Sequence, residues 1–172
     1  MSKYKPSKIY LHGDVDTDMY TVLSQGLDEA EANAPKDFKG YIDIELVSDG
    51  GSAYDAIAMH DRIINCPFNI RITGSGLVAS AAVLILAAGD HRVLTKNSWV
   101  MVHEDSVVGV EDKQVHEVEK EVKHYRRLED QWCQLLHNST YTDLDMWAKL
   151  HKDETYLTPK ECLALGLIEE IK

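Results

Sequence analysis

Apolar and polar positions along the chain follow two different periods, which predict strands and helices in turn. Residues 41–47 alternate between the two kinds and end on a β-branched residue, which is typical of a strand, and residues 70–73 predict a second short strand. Apolar side chains three and four positions apart predict helices over residues 16–32 and 53–64. Since no linker or repeat divides the chain, this alternation predicts a single α/β domain over residues 1–172.

The second half of the chain begins with two short apolar runs and continues with a long amphipathic segment. Residues 92–95 and 99–102 predict two strands that could form a hairpin across Lys96 and Asn97. Beyond them, apolar side chains at steps of three and four predict one helix over residues 112–136. These side chains are Val115, Val118, Val122, Tyr125, Leu128, Trp132 and Leu135. This apolar face of the helix has two interpretations: it packs on its own domain, or it forms an interface between subunits.

A single serine interrupts the small and apolar core of segment 76–89. Residues 80–88 predict a buried helix with Ser80 in its first turn. A serine at such a place is commonly a helix cap or a packing residue. The alternative is chemical, because the start of a helix presents unpaired N–H groups. The Ser80 hydroxyl beside the Ala81 N–H then has the arrangement of a nucleophile next to half of an oxyanion hole.

Two further segments contain residue types that serine chemistry requires. Gly50 and Gly51 lie between a predicted strand and a predicted helix, where glycine permits a tight turn and the close approach of another chain. His103 follows the apolar run 99–102, and strand ends are where α/β folds place reacting groups. Taken singly, the glycines also suit an ordinary turn, and the histidine suits an unspecialised position.

Together these segments resemble the ClpP family of self-compartmentalised serine peptidases. That family has a Ser-Pro-Gly-Gly-Ser loop, a nucleophile in Gly-x-Ala-Ser-x-Gly/Ala-Ala and a histidine in Val-Met-Ile-His. The corresponding stretches here are 48–52, 76–82 and 100–103, and the ends of the chain at 9–13 and 156–169 are also similar. The resemblance implies a ClpP/crotonase-like fold, which is a spiral of repeated strand-strand-helix units with a long projecting handle helix.

The resemblance also implies a role for each site residue. It makes Ser80 the nucleophile and His103 its general base. The implied oxyanion hole consists of the Gly51 and Ala81 N–H groups, and the implied substrate-binding residues are Gly50 and Ser52. No metal and no cofactor are expected, because a Ser-His-acid triad needs neither.

The acidic member of the triad is open between neighbouring carboxylates. The family's acid lies two residues before an aromatic residue whose place Tyr156 takes, and this spacing implies Glu154. Asp153 would need a slip of one residue, and a glutamate can orient an imidazole as well as an aspartate can. Asp105, two residues after His103, is a further rival.

Three departures from the family pattern bear on finer claims. Asp49 replaces the family's proline in the substrate-binding loop. Residues 106–113 contain Gly109 where the family has several glycines, so we expect docking between rings to differ. The chain begins eight residues before its first expected strand. We therefore expect a phage-type or otherwise specialised member without N-terminal axial loops, and an AAA+ unfoldase partner stays doubtful.

Composition narrows the classes of function. A net charge of −11 argues against binding of nucleic-acid phosphates and of anionic membrane surfaces. The longest apolar run is shorter than the roughly 20 residues that span a bilayer. Three widely spaced cysteines indicate a reducing compartment, and the N-terminus lacks the apolar region of a signal peptide, so a cytoplasmic location is expected.

The sequence thus predicts a serine endopeptidase that hydrolyses peptide bonds of unfolded proteins or peptides through an acyl-enzyme. The resemblance implies a homo-oligomer of heptameric rings, either single or stacked to a tetradecamer. Two other classes stay open. A crotonase-type acyl-CoA enzyme would share the fold and the paired oxyanion N–H groups, and a non-catalytic ring subunit would share the fold with a decayed site.

Overall fold

A computed structural model describes residues 4–104 and 113–172, within which seven strands form one sheet. The strands are β1 (Ile9–Val15), β2 (Tyr41–Gly51), β3 (Asn69–Ala79), β4 (His91–Leu94), β5 (Trp99–Val102), β6 (Thr155–Leu157) and β7 (Glu170–Ile171). The helices are α1 (Thr17–Asn33), α2 (Ala53–Ile64), α3 (Ala81–Ala87), α4 (Val115–Ser139), α5 (Leu144–Lys152) and α6 (Pro159–Ala164). The expected α/β class and the order of the first five elements are therefore confirmed.

The sheet follows the order β1-β2-β3-β4-β7, and β5 adds to β3 and β6 adds to β5. All of these pairings are parallel except β5 with β6, which is antiparallel. The strand β3 is long enough to pair with two successive strands, since residues 71–74 pair with β4 and residues 77–79 pair with β5. This second pairing brings the end of β5 beside the end of β3.

The core lies where the central strands meet α3. Alternate side chains of β2 and β3 are fully buried, and all seven residues of α3 are buried as well. A helix that is apolar on every side must lie inside the protein, because it has no face that water solvates well. The start of α3 is consequently held between the sheet and the surrounding helices.

The hairpin expected across Lys96 and Asn97 is wrong. Both β4 and β5 run parallel to β3, so they point in the same direction and do not pair with each other. The four-residue connection 95–98 has the length of a hairpin loop, but each strand gains its backbone partners from β3 instead.

Two helical faces also differ from the apolar pattern. Val22 of α1 is 47% exposed, although Met19, Leu23 and Leu27 beside it are buried. In α2 the buried side chains include Met59 and Ile63 rather than the apolar residues that marked the segment as a helix.

The long helix α4 is confirmed, although it begins and ends three residues later than expected. The sequence pattern did not predict the helix α5. In the described ranges, no helix has both the length and the apolar character that crossing a membrane requires.

Candidate active site

Ser80 lies at the sharp junction between β3 and α3. Its backbone N–H donates to the carbonyl of Met101 in β5 at 2.8 Å, which fixes the junction to the neighbouring strand. Its dihedral angles are φ 53° and ψ −127°, a region that side chains with a Cβ rarely occupy. Its side chain makes no capping hydrogen bond to α3, so capping does not explain the serine. Strained backbone of this kind costs about 1–3 kcal/mol and is often found at functional sites.

His103 reaches the same place from β5. The parallel register joins Val78 to Val100 and Ala79 to Met101, so the chain beyond β5 continues alongside Ser80. Ser80 and His103 are both half-buried and line one narrow cleft. The other residues that line this cleft are Ala53, Ala81, Leu128, Glu129, Trp132 and His151.

The two glycines after Ser48 each meet a different obstacle to a side chain. A Cβ on Gly50 would lie 2.6 Å from the Cβ of Ser80, and a Cβ on Gly51 would lie 2.4 Å from the Val15 carbonyl oxygen. Both glycines also have positive φ, 107° and 149° respectively. Glycine is therefore required at both positions by space as well as by backbone conformation.

The polar groups of this loop have distinct local partners. The Gly50 N–H donates to the Ser48 hydroxyl at 3.1 Å, so that N–H is used inside the loop. The Ser52 hydroxyl accepts from the Asp55 N–H at 3.2 Å and caps α2. These contacts give Ser48 and Ser52 a structural role in holding the loop beside Ser80.

Neither candidate acid lines the cleft. Asp153 and Glu154 are both exposed, and among the described residues no hydrogen bond joins either carboxylate to His103. The backbone nevertheless favours one of the two: β5 and β6 pair antiparallel with Val102 opposite Thr155, so continuing that register brings His103 opposite Glu154. Glu154 also has φ 46°, two residues beyond the end of α5. Asp105, the third candidate, and Gly109 lie outside the described residues.

His151 is the cleft residue that the sequence pattern did not reveal. It is 7% exposed and stacks on Trp132, with ring centroids 4.6 Å apart and planes 27° from parallel. Burial, together with the nearby His103, lowers the pKa of His151 to about 4. It is therefore neutral at pH 7. The spacing of Trp147 and His151 could have indicated that His151 is buried, because residues four apart share one face of a helix, here α5.

This cleft combines a hydroxyl, two imidazoles and an indole with few charged groups. Glu129 is the carboxylate residue among those that line it. Among the described residues, no group of three or more His, Cys, Asp or Glu could hold a metal ion. A hydroxyl and an imidazole that line the same cleft are the residue types that nucleophilic catalysis by serine uses.

Comparisons with known proteins agree with the resemblance. The family described as Clp protease matches residues 2–172 of the chain. An ATP-dependent Clp protease proteolytic subunit of Bacteroides thetaiotaomicron is 26% identical over 133 residues, which are 76% of this chain. Those residues span 59% of that relative's own length.

A solved structure from the same family has a similar fold. A solved structure of a ClpP1 mutant from Listeria monocytogenes matches with a TM-score of 0.84 at 22% identity, and the match covers 96% of this chain and 90% of that one. This likeness confirms the ClpP fold. The family match does not favour the acyl-CoA enzyme that the sequence left open. Because it extends over nearly every residue, the chain belongs to the Clp protease family.

Proposed function

We propose that this protein is a serine endopeptidase whose nucleophile is Ser80 and whose general base is His103. The observation that carries the proposal is the cleft that both residues line, at a junction where Ser80 is strained and does not cap its helix. Because the Ser80 backbone is held in a conformation that serine does not favour, the surrounding fold fixes the position of its hydroxyl. An imidazole beside it is the group that most often accepts a serine proton.

The proposed reaction proceeds through an acyl-enzyme. The Ser80 hydroxyl oxygen attacks the carbonyl carbon of a peptide bond, and His103 accepts the hydroxyl proton. The C–N bond then breaks as the imidazolium of His103 gives its proton to the leaving amine. Water attacks the resulting ester in the same manner, with His103 again as base, and releases the acid and free Ser80.

The Gly51 and Ala81 N–H groups are the proposed donors to the oxyanion. Ala81 is the first residue of α3, where N–H groups have no partner within the helix. Gly51 is the more suitable glycine, because the Gly50 N–H already donates to Ser48. Gly50 and Ser52 shape the proposed substrate-binding loop. A single oxyanion donor typically contributes about 2.7–4 kcal/mol to lowering the barrier.

Glu154 is the proposed acid of the triad. Its support is that continuing the antiparallel register of β5 and β6 by one residue would pair it with His103, whereas Asp153 is the residue directly after α5. The carboxylate would orient the His103 ring and stabilise its positive charge. Asp153 remains the alternative, and the comparison of Glu154→Gln with Asp153→Asn distinguishes them: the larger loss of activity identifies the acid.

Assembly into homo-oligomeric rings is part of the proposal. The first half of α4 exposes an apolar surface, since Val115 is 76% exposed and lines a groove with Val118 and Val122. An apolar surface on a projecting helix is typical of a subunit interface. We propose heptameric rings, single or stacked to a tetradecamer, that act on unfolded proteins or peptides in the cytoplasm. Electron microscopy of the purified protein would count the subunits of a ring, and a monomer would contradict this part.

The test of the catalytic assignment is labelling by a fluorophosphonate, which reacts with activated serines. The wild-type protein should be labelled, Ser80→Ala should not, and Ser75→Ala should behave as the wild type because Ser75 lies earlier in β3, outside the cleft. Labelling that persists in Ser80→Ala would contradict the assignment. A wild-type protein that is never labelled and never cleaves peptides would indicate a non-catalytic ring subunit. Turnover of acyl-CoA would indicate the crotonase-type enzyme instead.

A further inference from the structure

A second pocket lies outside the cleft, at the end of β5 that is farther from His103. It forms where the connection 95–98 and the first residue of β5 meet the start of α6 and the end of β7. Its volume is about 540 Å³, which is within the usual range for binding sites, and it is partly open to solvent. Among the described residues that line this pocket, none also lines the cleft at Ser80. The pocket therefore has no part in the proposed hydrolysis.

Hydrogen bonds fix both sides of this pocket. On one side, the backbone N–H of Lys96 donates to the Lys172 carbonyl at 2.6 Å, which ties the connection 95–98 to the chain beyond β7. On the other side, Thr158 and Glu161 form a reciprocal cap at the start of α6. A ligand would meet a preformed surface, so little free energy would be lost in ordering it.

The charge of the pocket is opposite to that of the whole protein. The chain has 29 acidic and 18 basic residues, yet the described residues that line the pocket include Lys96 and Lys160 and no carboxylate. Both lysines are exposed, and neither forms an ion pair with another described residue. Glu161, which follows Lys160, accepts from the Thr158 N–H and hydroxyl instead. A cationic pocket of this kind favours an anionic ligand.

Trp99 provides an aromatic surface in the same pocket. It is 48% exposed, whereas Trp132 and Trp147 are 5% and 0% exposed, so of the three tryptophans it is the one that a ligand can reach. Pro159 and Ile171 complete the apolar lining. Contact between an indole and another ring removes a large apolar area from water, and tryptophans often dominate the energy of binding interfaces.

These contacts favour a peptide over a small anion. Lys96 and Lys160 belong to different elements, so they are suited to two separate carboxylates. A partly open pocket also accommodates one side chain of a longer segment, whereas a small ligand is usually enclosed on most sides.

We infer that this pocket docks an acidic peptide segment of a partner protein, which places an aromatic side chain on Trp99 and carboxylates beside Lys96 and Lys160. The inference goes beyond the proposed function and does not depend on it, because the pocket lies outside the cleft. It assigns to this chain an interaction surface for one class of partner.

The experiment uses a short dye-labelled peptide in which a central phenylalanine is flanked on both sides by paired aspartates. The matched peptide has asparagine in place of each aspartate and is uncharged. Binding to the purified, assembled Ser80→Ala protein, in which the proposed nucleophile cannot cut the probe, is measured by fluorescence anisotropy. We expect the acidic peptide to bind at least about tenfold more tightly than the uncharged one.

Substitutions in the pocket test where the peptide binds. Lys96→Gln and Lys160→Gln should each weaken binding of the acidic peptide about threefold, and Trp99→Ala should weaken it at least about tenfold. Lys152→Gln is the matched control, since Lys152 is exposed on α5 and lies outside the pocket, and it should leave binding unchanged. If Trp99→Ala does not fold, the two variants at exposed lysines still test the site.

Quenching of tryptophan fluorescence by acrylamide is a second measurement of the same site. Because Trp132 and Trp147 are buried, the readily quenched fluorescence of the free protein comes from Trp99. The acidic peptide should protect Trp99 from the quencher, and the uncharged peptide at the same concentration should not. If Trp99 were already protected in the assembled protein without peptide, another copy of the chain would cover the pocket, and the inference would be overturned.

Three further results would also overturn it. These are equal binding of the two peptides, absence of saturable binding by the acidic peptide, and binding that the variants at Lys96, Lys160 and Trp99 leave unchanged. In each case labelling of Ser80 in the wild type is unaffected, so the proposed function would stand.

Discussion

Gly50 faces Ser80 so closely that a Cβ on Gly50 would lie 2.6 Å from the Cβ of Ser80 and 3.2 Å from its hydroxyl oxygen. The two residues come from different strand ends, β2 and β3, which run parallel. The glycine loop and the serine are thus one packed unit. Ser80 can keep its strained backbone conformation because the loop on one side and the bond to Met101 on the other leave it little room to relax.

Substitution of Gly50 by alanine should disable the site more than it unfolds the protein. The new Cβ would push Ser80 away, so we expect fluorophosphonate labelling to slow by at least about tenfold, which corresponds to about 1.4 kcal/mol. Gly13→Ala is the matched control, because Gly13 has nearly the same φ, 106° against 107°, but a Cβ there would contact nothing within 4 Å. Equal labelling rates for the two variants at matched stability would contradict the proposed coupling of Gly50 to Ser80.

Two substitutions of Glu154 can separate its effect on stability from its effect on activity. Its φ of 46° is unfavourable for a residue with a Cβ, so Glu154→Gly should raise the free energy of unfolding by about 0.5–1 kcal/mol. Glu154→Gln keeps the strain and should leave stability nearly unchanged. Both variants remove the carboxylate, so both should lower kcat/KM for a peptide substrate if Glu154 is the acid. Urea unfolding and peptide hydrolysis measure the two effects, and full activity in Glu154→Gly would reject Glu154 as the acid.

His151 should make the folded protein sensitive to mild acid. Burial and the nearby His103 lower its pKa to about 4, whereas an unfolded histidine titrates near about 6.5. Between these values the unfolded chain binds a proton that the folded chain does not, so the free energy of unfolding falls as pH decreases from about 6.5 to 4. The largest possible loss from this residue is about 3 kcal/mol.

The measurement for His151 is urea unfolding at several pH values and one protein concentration. His151→Leu should flatten the dependence on pH between 6.5 and 4, whatever its effect at pH 7. His116→Gln, in the exposed first turn of α4, should leave the dependence as in the wild type. The other titratable side chains that line the cleft with His151 are His103 and Glu129. An unchanged slope in His151→Leu would assign the acid sensitivity to groups other than His151.

Arg92 joins three distant parts of the chain and should be important for stability. The Arg92 guanidinium donates to both carboxylate oxygens of Glu169 and to the Ser139 carbonyl at the end of α4. The Arg92 backbone N–H also donates to the Glu169 carboxylate, at 2.6 Å. Arg92 is 8% exposed, so Arg92→Leu would leave partly buried acceptors without a donor. We expect a loss of about 2–4 kcal/mol in urea unfolding.

Arg62→Leu is the comparison for Arg92→Leu. Arg62 binds Asp28 and Glu31 with a similar fork, but Asp28 is largely exposed, so the loss should be about 1 kcal/mol or less. Equal losses for the two variants would mean that burial of the Arg92 network does not matter.

Much of the site could be predicted from local patterns. Ser80, His103 and the paired glycines each stand out in a short segment, because an apolar strand or helix leaves a polar or flexible residue visible at its end. The bounds of α2 and of the strand β5 follow from the same periodicity. The proposed acid is harder to assign, since Asp153 and Glu154 are adjacent, and the pairing of β5 with β6 adds to the spacing from Tyr156 in favouring Glu154.

The sequence by itself determined the order of most elements, the polar residues at their ends and the family, because these depend on neighbours within a few positions of the chain. Only the tertiary structure decided that β4 and β5 both pair with β3, and that Trp132 and His151 from two helices close the cleft behind Ser80. The physical reason is that partners distant in the chain are chosen by packing and by backbone hydrogen bonds across the fold, and no local period of apolar residues records that choice.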